Sequence, residues 1–275
     1  MKLVKVRSYS EEVVCFLYKL VPDANFSLES IGFFDHELGS YVLYCVSVVG
    51  KGVKNPKNVL ISGGVHGEEP AGVYTLLSFL ENDIHDFLGD YRFLILPCIN
   101  PFGFEYGYRF NPNGVDVNRN FKENSGSFEA TKVMQVLSRL NMRFAFTVDL
   151  HETDPNWADE GCSAIDNPHT FYMWEIAFDK SIRIGDKVVG AVRRIAPVCD
   201  WPKIYGDTNS GGVIWYPEGC ESPIYTQGTT LDAYLSANYT PQSFTTETPC
   251  GWDLEKRVTT NIVALRTILE LKRNT

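Results

Sequence analysis

Residues 59–72 read VLISGGVHGEEPAG: an apolar run, two glycines, a histidine, two adjacent glutamates, then Pro-Ala-Gly. A histidine beside carboxylates, where a buried strand stops and a helix starts, is a natural seat for a metal ion. Hydrolytic zinc typically takes three protein ligands, often two His and one carboxylate, and leaves one position for water. The pKa of that water falls towards neutrality, and the metal polarises the substrate carbonyl. His66 and one of the two glutamates supply two ligands. Glu69 fits better than Glu68, because residues three apart across a turn into a helix face the same way, whereas residues two apart diverge. Pro70 suits the first helical position and would hold Glu69 at the cap. His151, after the run FAFTVDL, offers the third ligand. Each histidine alone could be a plain polar group at a strand end. Two at matching places, with the groups described below, favour the ligand reading. His36, His85 and His169 lie in polar, turn-like or helical-surface contexts and read as surface residues.

A second cluster lies in YRFNPNGVDVNRNF, residues 108–121, where Arg109, Asn118 and Arg119 share a Gly/Asn/Pro-rich loop. The planar fork of Arg matches a carboxylate bidentately. In an acidic protein such a loop reads as a carboxylate-binding site. The plainer alternative is a solvated loop whose arginines pair with surface acids.

Periodicity predicts the elements that would carry these groups. YVLYCVSVV (41–49) reads as a strand and KGVKNPKN (51–58) as a turn-rich connection. VLIS (59–62), YRFLILPCINP (91–101), FAFTVDLH (144–151) and SFTTET (243–248) read as strands, the second stopped at Pro97 or shortly after. PAGVYTLLSFLEND (70–83), SFEATKVMQVLSRLN (127–141), KSIRIGDKVVGAVRRI (180–195) and LEKRVTTNIVALRTILELKR (254–273) read as helices. Strands alternating with helices imply an α/β sheet covered on both faces. His66, Asn100-Pro101 and His151 each fall at a strand end, and ligands in open α/β sheets sit outside the carboxyl ends of the strands.

Composition narrows the classes. Among 275 residues, 44% are hydrophobic and 21% charged, enough for a sizeable core. A formal net charge of −9 disfavours nucleic acid or an anionic membrane as partner, since both need a basic footprint. The seven cysteines are scattered with no C-x-x-C pair, so zinc-thiolate and redox motifs are absent. The N-terminal MKLVKVRSYSEEVVCFLYKL has apolar stretches too short and too interrupted for a signal peptide, and no run approaches a membrane span, which gives a cytoplasmic chain as the expectation. With no repeat, low-complexity tract or linker, residues 1–275 read as a single domain. Within it, 1–50 form the N-terminal strands and 199–242 a substrate-loop region. The sequence names no oligomeric state.

HGEE with His66 and Glu69, DVNRNF with Asn118-Arg119, DLH with His151 and FTTETP with Glu247 together resemble the zinc carboxypeptidase family, in its order and at broadly its spacing over roughly residues 58–250. The resemblance implies a mixed, about eight-stranded sheet flanked by helices, with one Zn²⁺ at the carboxyl ends of central strands. It implies that His66, Glu69 and His151 ligate the zinc and that Asn118 and Arg119 grip the terminal carboxylate of a substrate. Arg109 stands where the family's arginine polarises the scissile carbonyl. Glu247 matches the general base that activates the water on the zinc. A carboxylate in that place can take a proton and pass it to the leaving amine, and an arginine aimed at the developing oxyanion favours the transition state. Read from residue type alone, Glu247 could equally be an exposed strand-end acid. Glu218 and Glu221 are rival bases in a Pro/Gly/Cys loop with no motif around them.

IYGDTNSGGVIW, residues 204–215, resembles the family loop in which a mobile tyrosine precedes Ser-Gly-Gly. Tyr205 would close over the substrate carboxylate. Ile214 would form the floor of the side-chain pocket, which hints at apolar C-terminal residues. This chain departs from the family pattern by two extra residues before Ser210-Gly211-Gly212. It also carries the long segment 216–242, with Tyr216, Tyr225 and Tyr234 as alternatives to Tyr205, and Glu-Thr-Asp after His151.

Three activities fit these residues. A carboxypeptidase cutting a C-terminal peptide bond is favoured by the NSGG loop and TTETP. A zinc-dependent N-acyl-amino-acid deacylase, as in the related aspartoacylase and succinylglutamate desuccinylase branch, is suggested by the early place of Arg109, ten residues before Arg119. A catalytically inactive carboxylate-binding relative would be marked by a lost ligand or a lost Glu, and here all stand.

Overall fold

The computed structural model describes residues 3–154, 167–220 and 227–273. Val59, Leu60 and Ile61 are all fully buried, as a strand covered on both faces requires. They lie in β3 (Lys57–Gly63). The other strands are β1 (Phe26–His36), β2 (Gly39–Val49), β4 (Tyr91–Leu96), β5 (Phe146–Thr153), β6 (Tyr172–Ile176), β7 (Lys203–Ile204), β8 (Asp207–Thr208), β9 (Val213–Tyr216) and β10 (Ser243–Pro249). Eight of them form one mixed sheet in the order β1-β2-β4-β3-β5-β10-β6-β9, and β7 and β8 make a separate hairpin. The four central strands, β4, β3, β5 and β10, are parallel. The single-domain, eight-stranded mixed architecture anticipated from the sequence is therefore present.

The helices are α1 (Cys15–Leu20), α2 (Pro70–Asn82), α3 (Pro101–Tyr106), α4 (Phe128–Leu140), α5 (Gly185–Val192), α6 (Leu231–Asn238) and α7 (Leu254–Lys272). Side chains alternate between two cores. Val59, Ile61, Ile95 and Val148 pack with Val73 and Leu76 of α2 and Leu265 and Ile268 of α7. Leu60, Leu94 and Leu96 pack on the other face with Val133 and Leu137 of α4 and Leu231 and Leu235 of α6. The period-2 alternation assigns each residue of β5 to one side: Val148 and Leu150 to the α2 side, His151 and Thr153 to the α4/α6 side.

β4 ends at Leu96, at the stop expected from Pro97, and Asn100-Pro101 opens α3, with the Asn100 Oδ1 accepting from Gly103 N at 2.9 Å as a helix cap. The other sequence-based boundaries need three corrections. β5 runs two residues past His151, because it keeps pairing with β10 as far as Thr153↔Pro249. The helix anticipated at 180–195 is split into a short turn at Lys180–Ile182 and α5. The buried Glu175 carboxylate accepts from Ile184 N and from Gly185 N, at 3.2 and 2.6 Å, and this fixes where α5 starts. Finally β1, β6, β9 and α6 have no counterpart among the elements predicted one by one from periodicity. No helix among the described residues is long and apolar enough to cross a membrane.

Candidate metal centre

Two parallel neighbours, β3 and β5, carry the centre. Gly63 at the end of β3 pairs with Leu150, so the turn after β3 emerges beside His151. His66 lies on that turn and Glu69 is the residue preceding α2, with Pro70 at its first position. Two glycines let the turn fit. A Cβ on Gly72 would stand 2.5 Å from Leu150 O, and one on Gly67 2.0 Å from Gly103 C. The start of α2 can thus press onto β5, and the turn onto α3, only without side chains there.

His66, Glu69 and His151 are all buried, and each offers a ligand atom within 4.8 Å of the others. Glu69 bridges the two imidazoles: Oε1 is 2.7 Å from His66 Nδ1 and Oε2 is 2.8 Å from His151 Nδ1. Each ring turns its other nitrogen to a second carboxylate. His66 Nε2 lies 3.2 Å from Asp116 Oδ1, and His151 Nε2 lies 3.0 Å from Asp149 Oδ2. That arrangement fixes the tautomer that leaves Nδ1 as electron-pair donor, the usual outer layer of a histidine metal site. Glu68 takes no part in this set and instead pairs with Arg109 at 3.3 Å.

The electrostatics ask for a cation. Burial pulls the His66 imidazole down, and Arg109 adds to that, yet Glu69 and Asp116 outweigh both and raise its pKa. Burial likewise opposes protonation of His151, but Asp149 and Glu69 raise it well above the ordinary value. Burial would push Glu69 up, but the two imidazoles hold it well below the usual carboxylate range. In the absence of a metal, protons balance a pair of donors crowded by acids. Two neutral imidazole Nδ1 atoms and one carboxylate oxygen are a donor set that zinc accepts.

Glu247 of β10 pairs in register with His151 and, on its other side, with Tyr172 of β6, so it projects on the same face as the histidine. Thr153 Oγ1 donates to Glu247 Oε2 at 3.0 Å. Burial pushes the Glu247 carboxyl up to about 8, against the pull of His151. Arg109 reaches in from the loop. Its Nη1 is 3.2 Å from His66 Nδ1, and its Nε and Nη2 both donate to Asp116 Oδ2, at 3.1 and 3.0 Å.

The remaining expected residues are placed as follows. Asn118 is buried; its Oδ1 accepts from Leu231 N at 2.8 Å and its Nδ2 is 3.3 Å from His151 Nε2. Its amide is thus tied to α6 and only lies against the histidine, whose Nε2 proton goes to Asp149. Arg119 is half-buried and donates to Asn118 O at 3.0 Å. Tyr205 takes a positive φ of 50° and donates to Asn167 Oδ1 at 2.9 Å. Ile214 is fully buried on β9 and packs in one apolar cluster with Tyr172, Trp174 and Cys199, against which Tyr205 also rests. Glu218 is ion-paired with Lys180 and Arg183 at the surface, away from the metal residues. Glu221 and Tyr225 lie outside the described residues. Tyr216 meets Phe178 edge-on, and Tyr234 of α6 packs on Phe121 and Tyr239.

Reading by residue type passed over Asp116, Asp149, Glu152 and Thr153. Glu152 locks the frame together. Its backbone N donates to Glu69 Oε2 at 3.0 Å, and its own Oε2 accepts from Ala71 N in the first turn of α2, at 2.5 Å. Arg257 of α7 pairs with its other oxygen. Burial pushes the Glu152 carboxyl up to about 7 in spite of that arginine.

The chain thus combines an eight-stranded mixed sheet with a His-Glu-His cluster at the ends of adjacent parallel strands. It is similar to several known proteins. The sequence model of the succinylglutamate desuccinylase/aspartoacylase catalytic domain matches residues 55–185. Murein peptide amidase A of Escherichia coli is 42% identical over 62 residues, which is 22% of this chain and 24% of that protein. Carboxypeptidase SOL1 of Arabidopsis thaliana is 25% identical over 224 residues, covering 74% of this chain and 44% of the relative. These matches therefore span less than half of either curated relative. Among solved structures, a Shewanella amazonensis protein described as a metallopeptidase superposes over 100% of both chains with a TM-score of 0.75 at 22% identity. A metallo-carboxypeptidase of Burkholderia cenocepacia superposes over 95% of this chain and 68% of its own, with a TM-score of 0.65 at 17% identity. At these identities the solved structures show the fold. Taken together, the matches make the chain similar to desuccinylase/aspartoacylase and carboxypeptidase proteins, with just under half of it, residues 55–185, matching the family model.

Proposed function

We propose that the protein is a zinc-dependent hydrolase of carboxypeptidase type that cuts the C-terminal amide bond of a peptide bearing a free carboxylate. The observation that carries this reading is the convergence of His66 Nδ1, His151 Nδ1 and Glu69 beside Glu247, all positioned by three neighbouring parallel strands or the turn that follows one. His66, Glu69 and His151 would hold one Zn²⁺, which supplies Lewis acidity and makes a nucleophile of water at neutral pH. Glu247 takes the proton of the attacking water and hands it to the leaving nitrogen. Its carboxylate form, costly when buried without a metal, is favoured beside a dication. Arg109, held by Asp116, presents donors to the oxygen on which charge develops. Arg119 binds the terminal carboxylate, with Asn118 behind it, and Tyr205 with Ile214 shapes the side-chain pocket. Asn118 Nδ2 can turn to a substrate while its Oδ1 stays held by Leu231 N.

A second reading is kept because the family match is to a desuccinylase/aspartoacylase domain, and Arg109 lies ten residues before Arg119. In that reading the same groups remove an acyl chain from an N-acyl amino acid. The test measures bound metal by elemental analysis and cleavage of three probes: a free peptide, the same peptide blocked at its C-terminus, and N-acyl amino acids. Release of C-terminal residues from the free peptide alone supports the first reading. Cleavage of the N-acyl amino acids alone replaces it with the second, and cleavage of nothing by a zinc-loaded protein rejects both.

A further inference from the structure

We infer that Thr153, backed by Tyr172, is a positioning residue that fixes which oxygen of Glu247 faces the reacting water; this rests on the base role proposed above for Glu247. Three strands bring the groups together. Glu247 of β10 sits between His151 of β5 and Tyr172 of β6 in the sheet register, and Thr153 follows His151 by two residues. All four side chains therefore stand on one face of the sheet. Thr153 and Tyr172 are buried, with 5% and 1% of their surfaces exposed, so neither hydroxyl is in bulk water.

The two hydrogen bonds have a defined direction. In the ionised form that the base role requires, a carboxylate only accepts, so the 3.0 Å contact from Thr153 Oγ1 to Glu247 Oε2 commits the threonine proton to Glu247. The Tyr172 hydroxyl lies 2.8 Å from Thr153 Oγ1, and two oxygens that close need a proton between them. With the threonine proton committed, only Tyr172 can supply it, and Tyr172 shares that proton with Tyr205, whose own proton goes to Asn167. The chain Tyr172→Thr153→Glu247 thus ends on Oε2, and the inference assigns Oε1 to the reacting water.

This polarity matters because the terminal torsion of a glutamate is soft and lets its two oxygens exchange places. With Oε2 pinned, a proton leaving the attacking water goes to Oε1 as the water oxygen bonds to the carbonyl carbon. The same proton moves from Oε1 to the leaving nitrogen as the carbon–nitrogen bond breaks, and the Thr153 and Tyr172 protons stay where they are. The device raises the fraction of time Glu247 is correctly aimed, so its loss acts on turnover rather than on substrate binding.

The experiment uses the zinc-loaded full chain, with a free acyl dipeptide and an N-acyl amino acid as probes. Thr153→Val keeps shape and removes the hydroxyl, Thr153→Ser restores the hydroxyl, and Tyr172→Phe removes only the rear donor. A hydrogen bond to a charged group is worth enough to change kcat by about 10- to 100-fold. Thr153→Val should lose that much in kcat with KM within about threefold and zinc content unchanged. Thr153→Ser should return to within about threefold of wild type, and Tyr172→Phe should lose less than Thr153→Val, again in kcat. A Thr153→Val variant with wild-type kcat, or a Thr153→Ser variant as impaired as Thr153→Val, overturns the inference. Crystal structures of zinc-loaded wild type and Thr153→Val supply a readout independent of turnover. Glu247 should hold one conformer on Thr153 in the first and turn or split in the second; an unmoved Glu247 overturns the positioning role. Should wild type cleave neither probe, the base role fails on its own, and the crystallographic pair still decides whether Thr153 aims the carboxylate.

Discussion

Replacing Asp116 by Asn tests the outer layer of the centre with almost no change of shape. Asp116 Oδ1 faces His66 Nε2 at 3.2 Å and accepts from Asn118 N at 2.9 Å, while Oδ2 accepts from Arg109 Nε and Nη2 at 3.1 and 3.0 Å. An asparagine can satisfy one side only. With its oxygen towards His66 and Asn118, its NH₂ confronts two guanidinium donors; flipped, it confronts the imidazole N–H and a backbone N–H. The Arg109 and Asp116 side chains are 12% and 16% exposed, so the lost ion pair is only lightly screened. Loss of a carboxylate partner behind a metal-ligating histidine lowers metal affinity by about 10–100-fold, or about 1.4–2.8 kcal/mol. Competition for zinc against a chromogenic chelator measures this directly, and melting of the metal-free forms controls for folding. A zinc affinity within about twofold of wild type, in a variant that melts normally, refutes the assignment of Asp116 as the residue that orients His66.

Glu247→Gln should keep its zinc while kcat drops by about 10²–10⁴-fold, the usual worth of a general base, and near-normal turnover removes the role. His151→Ala should lose zinc by elemental analysis, whereas full occupancy means the ligand set is wrong. Arg119→Ala should impair cleavage mainly of probes with a free terminal carboxylate, and an equal loss on blocked probes withdraws it from carboxylate recognition. For pH, the raised pKa values of His66 and His151 stabilise the metal-free fold fully below the ordinary imidazole value, an effect lost as pH rises through the folded values. Glu247, raised from 4.5 to about 8, acts in the same direction, since its ionisation over that span costs stability. The metal-free protein should therefore melt lower as pH climbs from about 5 to 8. Zinc affinity should rise over the same span with proton release, read by calorimetry in buffers of different ionisation heat; no proton release contradicts the protonated imidazoles.

The three residues of the candidate metal centre were legible because each is announced locally. His66 and Glu69 share one turn between a buried strand and a proline-started helix, and His151 lies near the end of a hydrophobic run. Asp149 and Thr153 were legible in principle too, since both flank His151 by two residues in a strand and must share its face. Attention to the motif residues alone passed them over. Asp116 reaches His66 across 50 residues of sequence, and Arg257 reaches Glu152 across 105, so neither contact has a local signature. β6 is five residues long, too short for its alternation to stand out, which hid Tyr172 and with it the row His151–Glu247–Tyr172. The split at Ile184 was hidden for a similar reason: the period across 180–195 is helical, but a carboxylate from β6 captures Ile184 N and Gly185 N and sets the helix start.

The distribution of roles between strands and loops bears on which bond the protein cuts. His151, Thr153 and Glu247 stand on paired strands, and His66 and Glu69 on a turn clamped by Gly67 and Gly72, so the reacting centre is held by the sheet itself. Such a centre serves any amide whose carbonyl reaches the metal, peptide or N-acyl amino acid alike. In the proposed function, selection between them falls to parts that are held differently: Arg119 on a short turn at Val117–Arg119, Tyr205 at a strained positive φ, and Ile214 on the outermost strand β9. Arg109 shows the coupling between the two layers, since one guanidinium touches His66, Glu68 and Asp116 at once. For its donors to serve a developing oxyanion it must give up Nη1 contacts to His66 and Glu68 while Asp116 keeps hold of Nε and Nη2. Asp116 is thus the pivot on which that arginine can turn without leaving the site, and the Asp116→Asn variant should lose turnover by more than its loss of zinc explains, even when assayed at saturating metal.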